Sequence, residues 1–122
     1  MKLRSFVLAT TAAALFGTPA IAHHSFAMFD QDKTVELQGT VKEFQWSNPH
    51  SWLILDVTDQ TGKVTEWGLE MSSPARLARN GWRPKTLVPG DKVTFKAHPM
   101  RNGDPSGQFL ELKLTNGTVL SQ

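Results

Sequence analysis

The four histidines of this chain are the residues whose types and positions could do chemistry. His23 and His24 come directly after Ala-Ile-Ala at residues 20–22, a small-residue sequence of the kind that signal peptidase cleaves. Cleavage after Ala22 would begin the mature chain at His23, and a terminal α-amine beside an imidazole chelates transition metals. Imidazole suits copper, zinc and nickel, and copper(II) has the highest affinity in this series.

The other two histidines lie next to predicted loops. His50 ends the loop between the first and second predicted strands, and His98 opens the loop between the fourth and fifth. In a five-stranded OB barrel these loops border the same face, so both imidazoles are expected at one rim. The hypothesis is a copper site built from His23, His24, His50, His98 and Met100. In this site, Met100 would be a soft ligand for copper(I). The alternative is that these are ordinary surface residues and an adventitious chelating tail.

A second candidate site is a group of apolar residues on the first two predicted strands, beside His50. They share one phase of the strand alternation and would form an exposed patch for a ligand or a larger envelope protein: Phe44, Trp46, Trp52 and Ile54. The alternative is that a bend in the first strand folds them into a second small core against Phe26 and Phe29.

Sequence signatures of known catalytic sites are missing, and no catalytic residue is assigned. No serine lies in a nucleophile elbow, and neither a Gly-rich phosphate loop nor an HExxH sequence occurs. Glu66 and Glu70 alternate along one predicted strand and could in principle act as an acid and a base. Solvent-facing positions on the strand account for both residues more simply, and we therefore expect a binding protein rather than an enzyme.

The chain start and the charge indicate export and argue against nucleic acid. A basic start and an apolar run at residues 6–16 precede the cleavage sequence, which is typical of a signal peptide. Removing Lys2 and Arg4 from the 13 Lys and Arg leaves 11, which equals the 11 Asp and Glu. A neutral chain has no field to gather nucleic acid. The chain contains no cysteine. We expect a periplasmic or secreted protein with no stable membrane anchor.

Five strands and one short helix are predicted from alternation and turn residues. The strands are expected at residues 34–46, 50–59, 64–71, 92–98 and 108–115. A change of phase after Val41 indicates a bulge or bend in the first strand. Ser73 as N-cap, Pro74 at the first helical position and Gly81 at the end predict a helix before the fourth strand.

This order predicts an all-β protein, small α+β by content, built as a five-stranded OB-like barrel with one short helix between strands 3 and 4. A small open β-sandwich or meander is the alternative. The predicted domain organisation is a signal peptide at 1–22, an N-terminal arm at 23–33 and a single barrel domain at 34–122. Leu110, Leu112 and Leu114 are expected on one face of the fifth strand. The residues expected to be buried together in the barrel are Val41, Leu53, Leu55, Leu69, Val93, Phe95 and Leu112.

Several stretches of this chain resemble an uncharacterised family of small exported proteobacterial proteins. They are the His-His-Ser-Phe start at 23–26, the segment 40–52 with its Asn-Pro-His-Ser-Trp sequence, and the segments 77–82 and 89–93. The combination is specific although each piece alone is short. The resemblance implies export and one compact β-rich domain, and it implies no activity and no assigned site.

Overall fold

The computed structural model describes residues 26–122. The predicted signal peptide, the cleavage site and both His23 and His24 lie outside the described residues. A 3-10 helix at Phe26–Met28 comes first. The strands and the one α-helix of the described part are β1 Val35–Gln45, β2 Trp52–Thr58, β3 Val64–Glu70, α1 Pro74–Arg79, β4 Lys92–Pro99, β5 Ser106–Leu114 and β6 Val119–Ser121.

Five of the strands close into a mixed β-barrel. Antiparallel pairs join β2 to both β3 and β1, and β4 to both β1 and β5. A parallel pairing between β3 and β5 closes the circle. With the short helix between β3 and β4, this arrangement confirms the predicted OB-like barrel.

The sequence-based prediction missed β6, which adds a short antiparallel strand to β5. It spans three residues, and Val119 at its start is 55% exposed. So short a segment with an exposed apolar residue has no alternation to recognise.

The predicted irregularity of β1 is present and changes which residues face the core. The register with β2 shifts between Val41 and Glu43, as in a β-bulge. Phe44 therefore lies opposite Leu53, which is fully buried, instead of sharing the outer face of Trp52. A bulge places one unpaired residue in the ladder and bends the strand, so the residues beyond it change faces.

The inward-facing residues of the barrel form one core, as predicted. The seven residues expected to be buried together all are: Val41, Leu53, Leu55, Leu69, Val93, Phe95 and Leu112. Trp82 also belongs to this cluster, and Trp67 packs against it and lies 6.0 Å from Phe95 between ring centroids. Because aromatic rings bury large apolar areas, they help to fill a core that has no disulfide.

The prediction for β5 was partly wrong. Phe109 is fully buried, while Leu110 and Leu114 are only partly buried. The pairing with β4 shifts after Lys96, so that Leu110 is passed over in the ladder and Leu112 returns to the inner face. Strict alternation cannot anticipate such a shift, because the unpaired residue inverts the phase.

The helix α1 begins and ends as predicted. The Ser73 side chain accepts a hydrogen bond from the backbone N–H of Arg76, and Pro74 occupies the first helical position. Gly81 follows the helix with φ +89°, a conformation that residues with a Cβ rarely adopt. Leu77 is the buried residue of the helix and joins the core. No helix within residues 26–122 is long and apolar enough to cross a membrane.

The described part of the N-terminal arm lies along the end of β4. Phe29 pairs with Met100 in an isolated antiparallel bridge and is buried. The backbone N–H of Asp30 donates to the carbonyl of Pro99 at 2.8 Å, and the N–H of Arg101 donates to Met28 at 3.0 Å. The arm therefore runs antiparallel to this part of the chain. Asp30 lies beside Pro99 at the end of β4, and Met28 lies beside Arg101 in the β4–β5 loop.

Candidate functional site

One cross-strand row connects the two loops that carry His50 and His98. Trp52 pairs with Glu70, Glu70 pairs with Gln108, and Gln108 pairs with His98. Neighbouring strands lie about 4.8 Å apart, so two strand spacings, about 10 Å in total, separate the backbones of Glu70 and His98. The register thus brings the two loops to the same end of the barrel, with Trp52, two residues after His50, at one end of the row and His98 at the other.

His50 is held in place by a carboxylate. Its Nδ1 forms a short hydrogen bond with Oε1 of Glu70. The imidazole is 39% exposed, while the Glu70 side chain is only 8% exposed. Because an ionised carboxylate can only accept hydrogen bonds, Nδ1 carries the proton in this pair. In the neutral imidazole the lone pair is then on Nε2, which makes no hydrogen bond within the described residues.

The backbone around His50 explains this placement. Ser51 extends the β2–β3 ladder by donating its N–H to Ser72 at 3.1 Å and accepting from Met71 at 2.9 Å. The hydroxyl of Ser47 donates to the carbonyl of His50 at 2.9 Å and fixes the preceding turn. The imidazole is therefore carried over the end of β3, where Glu70 lies.

His98 has the same hydrogen-bond pattern with a different partner. Its Nδ1 lies 2.7 Å from the carbonyl oxygen of Lys33, in the N-terminal arm. A carbonyl oxygen can only accept, so Nδ1 again carries the proton and Nε2 is the basic nitrogen. Histidines that bind metals usually donate their other ring N–H to a carboxylate or a backbone carbonyl, and both arrangements occur here.

A polar cavity of about 560 Å³ lies beside the His50–Glu70 pair. Its lining combines a buried carboxylate, a guanidinium, amides, hydroxyls and apolar groups, and includes Glu70, Arg76, Gln108, Phe109, Leu110 and Gln122. The Gln122 side chain accepts from the N–H of Ser72 at 2.6 Å and donates to the carbonyl of Phe109 at 2.7 Å. These bonds connect the start of the helix region to β5 and shape one wall of the cavity.

The comparisons with known proteins assign the chain to a family. A family model matches residues 12–109, which include His50, Glu70 and His98. The chain belongs to DUF6152, a family of unknown function. No curated protein and no solved structure matches it. The resemblance inferred from the sequence is thus confirmed as a family of uncharacterised proteins, and membership of DUF6152 assigns no role to any residue.

Glu70 is the site residue of this DUF6152 protein that the sequence did not reveal. It was expected to face solvent like Glu66, and for Glu66 that holds: the exposed carboxylate bonds to Nζ of Lys42 at 2.5 Å, which raises the pKa of Lys42. Glu70 is instead buried. Alternation places both side chains on the outer face, but it cannot show that a distant loop covers one of them. The available signal was its position at the strand end, with only Met71 between it and the Ser-Ser-Pro helix start.

The predicted aromatic patch of this DUF6152 protein is divided between two environments. Phe44 lies 5.8 Å from both Trp46 and Trp82 between ring centroids, and both Phe44 and Trp46 pack against the core. Trp52 and Ile54 are half-buried on β2, opposite Glu70 and Gly68. Because the bulge in β1 turns Phe44 towards the core, the four residues do not form one bare surface, and a binding role for them stays a prediction.

The predicted metal ligands are brought together only in part. His98 lies in the row, His50 reaches it through its bond to Glu70, and Met100 is half-buried beside Phe29. Within residues 26–122, no group of three or more His, Cys, Asp or Glu side chains could hold a metal ion. Any site with three or more such ligands would need donors from outside that range.

Proposed function

We propose that this DUF6152 protein is an exported, non-enzymatic binding protein that holds a transition metal, copper in the sharper form of the proposal, at the rim of the barrel. The observation that carries the proposal is the hydrogen-bond pattern that two imidazoles share. In both His50 and His98, the Nδ1–H group donates a hydrogen bond to an oxygen atom, so the lone pair that can bind a metal ion is on Nε2. Such a hydrogen bond from the other ring nitrogen orients histidine ligands and raises their basicity.

His50 is proposed as the anchoring ligand, with Glu70 as the residue that positions it. A buried carboxylate stabilises positive charge on the imidazole, so it favours a bound cation. His98, with a neutral carbonyl as partner, is expected to contribute less. Nitrogen donors of this kind fit copper(II), which is why copper is preferred to harder ions.

The processed N-terminus is proposed to supply the remaining ligands. Nε of Arg101 donates to the carbonyl of Ala27 at 3.0 Å, which fixes the arm at the β4–β5 loop. That loop contacts β3, where the N–H of Gly68 donates to Pro105 at 3.2 Å. His23 lies four positions before Ala27, a distance that an extended chain spans in about 13 Å. Ala27 lies on the side of the barrel that carries Glu70, and we propose that the α-amine and the imidazoles of His23 and His24 reach the rim from there.

Processing is the first prediction that this proposal makes. Protein recovered from the periplasm should have the mass of residues 23–122, because Ala20 and Ala22 occupy the small-residue positions of the cleavage sequence. Intact-mass measurement decides this. A terminus at any other residue would remove the α-amine from beside the His23 imidazole and contradict the proposed chelate.

Copper(II) affinity tests the site itself. Glu70→Gln should weaken binding about 10–100-fold, as is usual when the partner of a histidine ligand is changed. His50→Ala should weaken it at least as much, because the ligand itself is lost. One alanine added before His23 should also weaken binding, since it separates the amine from the imidazole. Calorimetric titration of the processed protein against a competing chelator gives these affinities.

Glu66→Gln is the matched control for this titration. It makes the same chemical change four residues earlier on β3, at an exposed carboxylate bonded to Lys42, and should leave the affinity unchanged. Equal copper(II) affinity in the extended and processed proteins would show that the α-amine is not a ligand. Unchanged affinity in both Glu70→Gln and His50→Ala would contradict a rim site and reduce His23 and His24 to a chelating tail.

The second candidate function is an accessory module that binds an envelope protein. The observation in its favour is that Trp52 and Ile54 lie on β2 without being part of the barrel core. It is the weaker candidate because Phe44 and Trp46, the other residues of the predicted patch, pack against that core. A failure of the rim variants to affect copper binding would favour it.

A further inference from the structure

The cavity beside the rim contains two opposite charges that do not pair with each other. Glu70 and Arg76 both line it, yet no ion pair within 4.0 Å joins them. Glu70 lies at the end of β3 and Arg76 on α1, so separate elements hold the two charges. Charges of opposite sign that face one cavity at a distance match a ligand that itself carries both signs.

Glu70 has bonding capacity left on the side of the cavity. Its Oε1 is occupied by His50, while Oε2 makes no hydrogen bond within residues 26–122. The carboxylate is more than nine-tenths buried and has lost most of its hydration, while Oε2 keeps some contact with solvent. A ligand ammonium would supply both the hydrogen bond and the opposite charge that Oε2 lacks.

Arg76 presents the complementary group. Its backbone N–H bonds to Ser73 Oγ, which fixes the residue in the first turn of α1. Its guanidinium makes no hydrogen bond or ion pair to any residue of the described part. Arg79, on the same helix, differs because its Nε donates to the carbonyl of Ala75 at 3.3 Å and it does not line the cavity. A planar guanidinium suits a carboxylate, which it binds through two parallel hydrogen bonds.

We propose that this cavity binds a free α-amino acid, with its ammonium on Glu70 and its carboxylate on Arg76. Leu110, which is only partly buried, contributes apolar surface to the lining and favours an apolar ligand side chain. The volume of about 560 Å³ lies in the ordinary range of small-molecule sites. A simple carboxylate would leave Oε2 of Glu70 without a partner, and a simple amine would leave the Arg76 guanidinium without one. All the groups proposed to bind the ligand lie within residues 26–122, and no metal ion takes part.

Titration with L-leucine tests the proposal on the processed protein after a chelating resin has removed metal ions. Calorimetry should detect binding of L-leucine. N-acetyl-L-leucine, which lacks the ammonium, and L-leucinamide, which lacks the carboxylate, should each bind at least tenfold more weakly. Glu70→Gln and Arg76→Gln should each weaken L-leucine binding by a similar factor. Arg79→Gln is the matched control and should leave it unchanged, and thermal melting confirms that each variant is folded.

The ligand series on the unaltered protein keeps the test decisive even if a variant unfolds. No binding of L-leucine, or equal binding of the N-acetyl compound, overturns the proposal. Leucyl-leucine separates a free amino acid from a peptide source: its two charges lie farther apart, so weaker binding is expected, and equal or tighter binding overturns the assignment. Because His23 and His24 take no part, a failure of copper binding would leave these results unaffected.

Discussion

Replacing Trp82 with alanine is expected to lower the free energy of unfolding by about 3–5 kcal/mol, the range for large aromatic truncations in cores. The indole is 1% exposed and lies against Phe109 and Phe44, with ring centroids 5.7 and 5.8 Å away. Its Nε1–H donates to the carbonyl of Ser121 at 2.8 Å, so it also ties β6 to the barrel. Chemical denaturation followed by far-UV circular dichroism measures the loss.

Two further substitutions separate the contributions to this loss. Trp82→Phe keeps an aromatic ring but removes the bond to Ser121, and it should cost clearly less than Trp82→Ala. Trp52→Ala truncates the same residue type at a half-buried position on β2 that is outside the core cluster, and it should cost less again. Equal losses for Trp82→Ala and Trp52→Ala would contradict a central role for Trp82.

The sequence was sufficient for the barrel because local signals and burial agree in most of the strands. Leu53, Leu55 and Val57 alternate in β2, and all three are buried. The helix was equally predictable, since Ser73, Pro74 and Gly81 act through local backbone geometry. Such signals depend on a residue and its near neighbours, which is why the sequence alone reveals them.

The errors have a common physical cause, which is pairing between distant segments. The shift beside Lys96 exchanges Leu110 for Phe109 in the core, and the bulge after Val41 turns Phe44 inward. Each depends on the register of two strands that are far apart in sequence. The bulge in β1 was predicted because the apolar phase changes within that strand. The shift in β5 was not, because Leu110, Leu112 and Leu114 alternate without a break.

The same distinction applies to the candidate site. OB topology alone predicted that the loops of His50 and His98 border one face, and the row through Glu70 and Gln108 connects them. Neither hydrogen-bond partner was predicted. Glu70 was predicted to be one more outward residue of β3, and the acceptor for His98 is the backbone carbonyl of Lys33, which any residue could supply. Contacts to backbone atoms leave no trace in residue types.

Glu70 belongs to both proposals, but through different oxygen atoms. Oε1 holds His50 for the metal, and Oε2 is left for the ammonium of an amino acid. Variants of the other residues therefore separate the two functions. His50→Ala removes the metal ligand, and Arg76→Gln removes the carboxylate partner without changing any proposed ligand. If each variant impairs only its own ligand, the two sites are distinct in spite of the shared carboxylate.

Leu55→Ala is expected to cost about 2–5 kcal/mol, because Leu55 is fully buried at the centre of β2 and the cavity left behind cannot hold water favourably. The side chain lies against β1 at Gly39, two residues before the bulge begins. A Cβ built on Gly39 would approach Cβ of Leu55 at 3.3 Å and its Cδ2 at 3.4 Å. Leu55 therefore occupies the space that the missing Gly39 side chain leaves, and equilibrium unfolding of Leu55→Ala measures what that packing contributes.

A double-mutant cycle shows whether this contact sets the loss. Gly39→Ala alone should destabilise the barrel, because its methyl group would lie within 3.4 Å of Leu55 and 3.3 Å of the Asp56 carbonyl oxygen. In the Leu55→Ala background the contact with Cδ2 is gone, so the same change should cost less, with a coupling of about 0.5 kcal/mol or more. The cycle cancels the effect of glycine on the unfolded chain, which is the same in both backgrounds. If the losses in the free energy of unfolding are strictly additive, Leu55 does not pack on Gly39. In that case β1 tolerates a side chain at residue 39 equally well with leucine or alanine at residue 55.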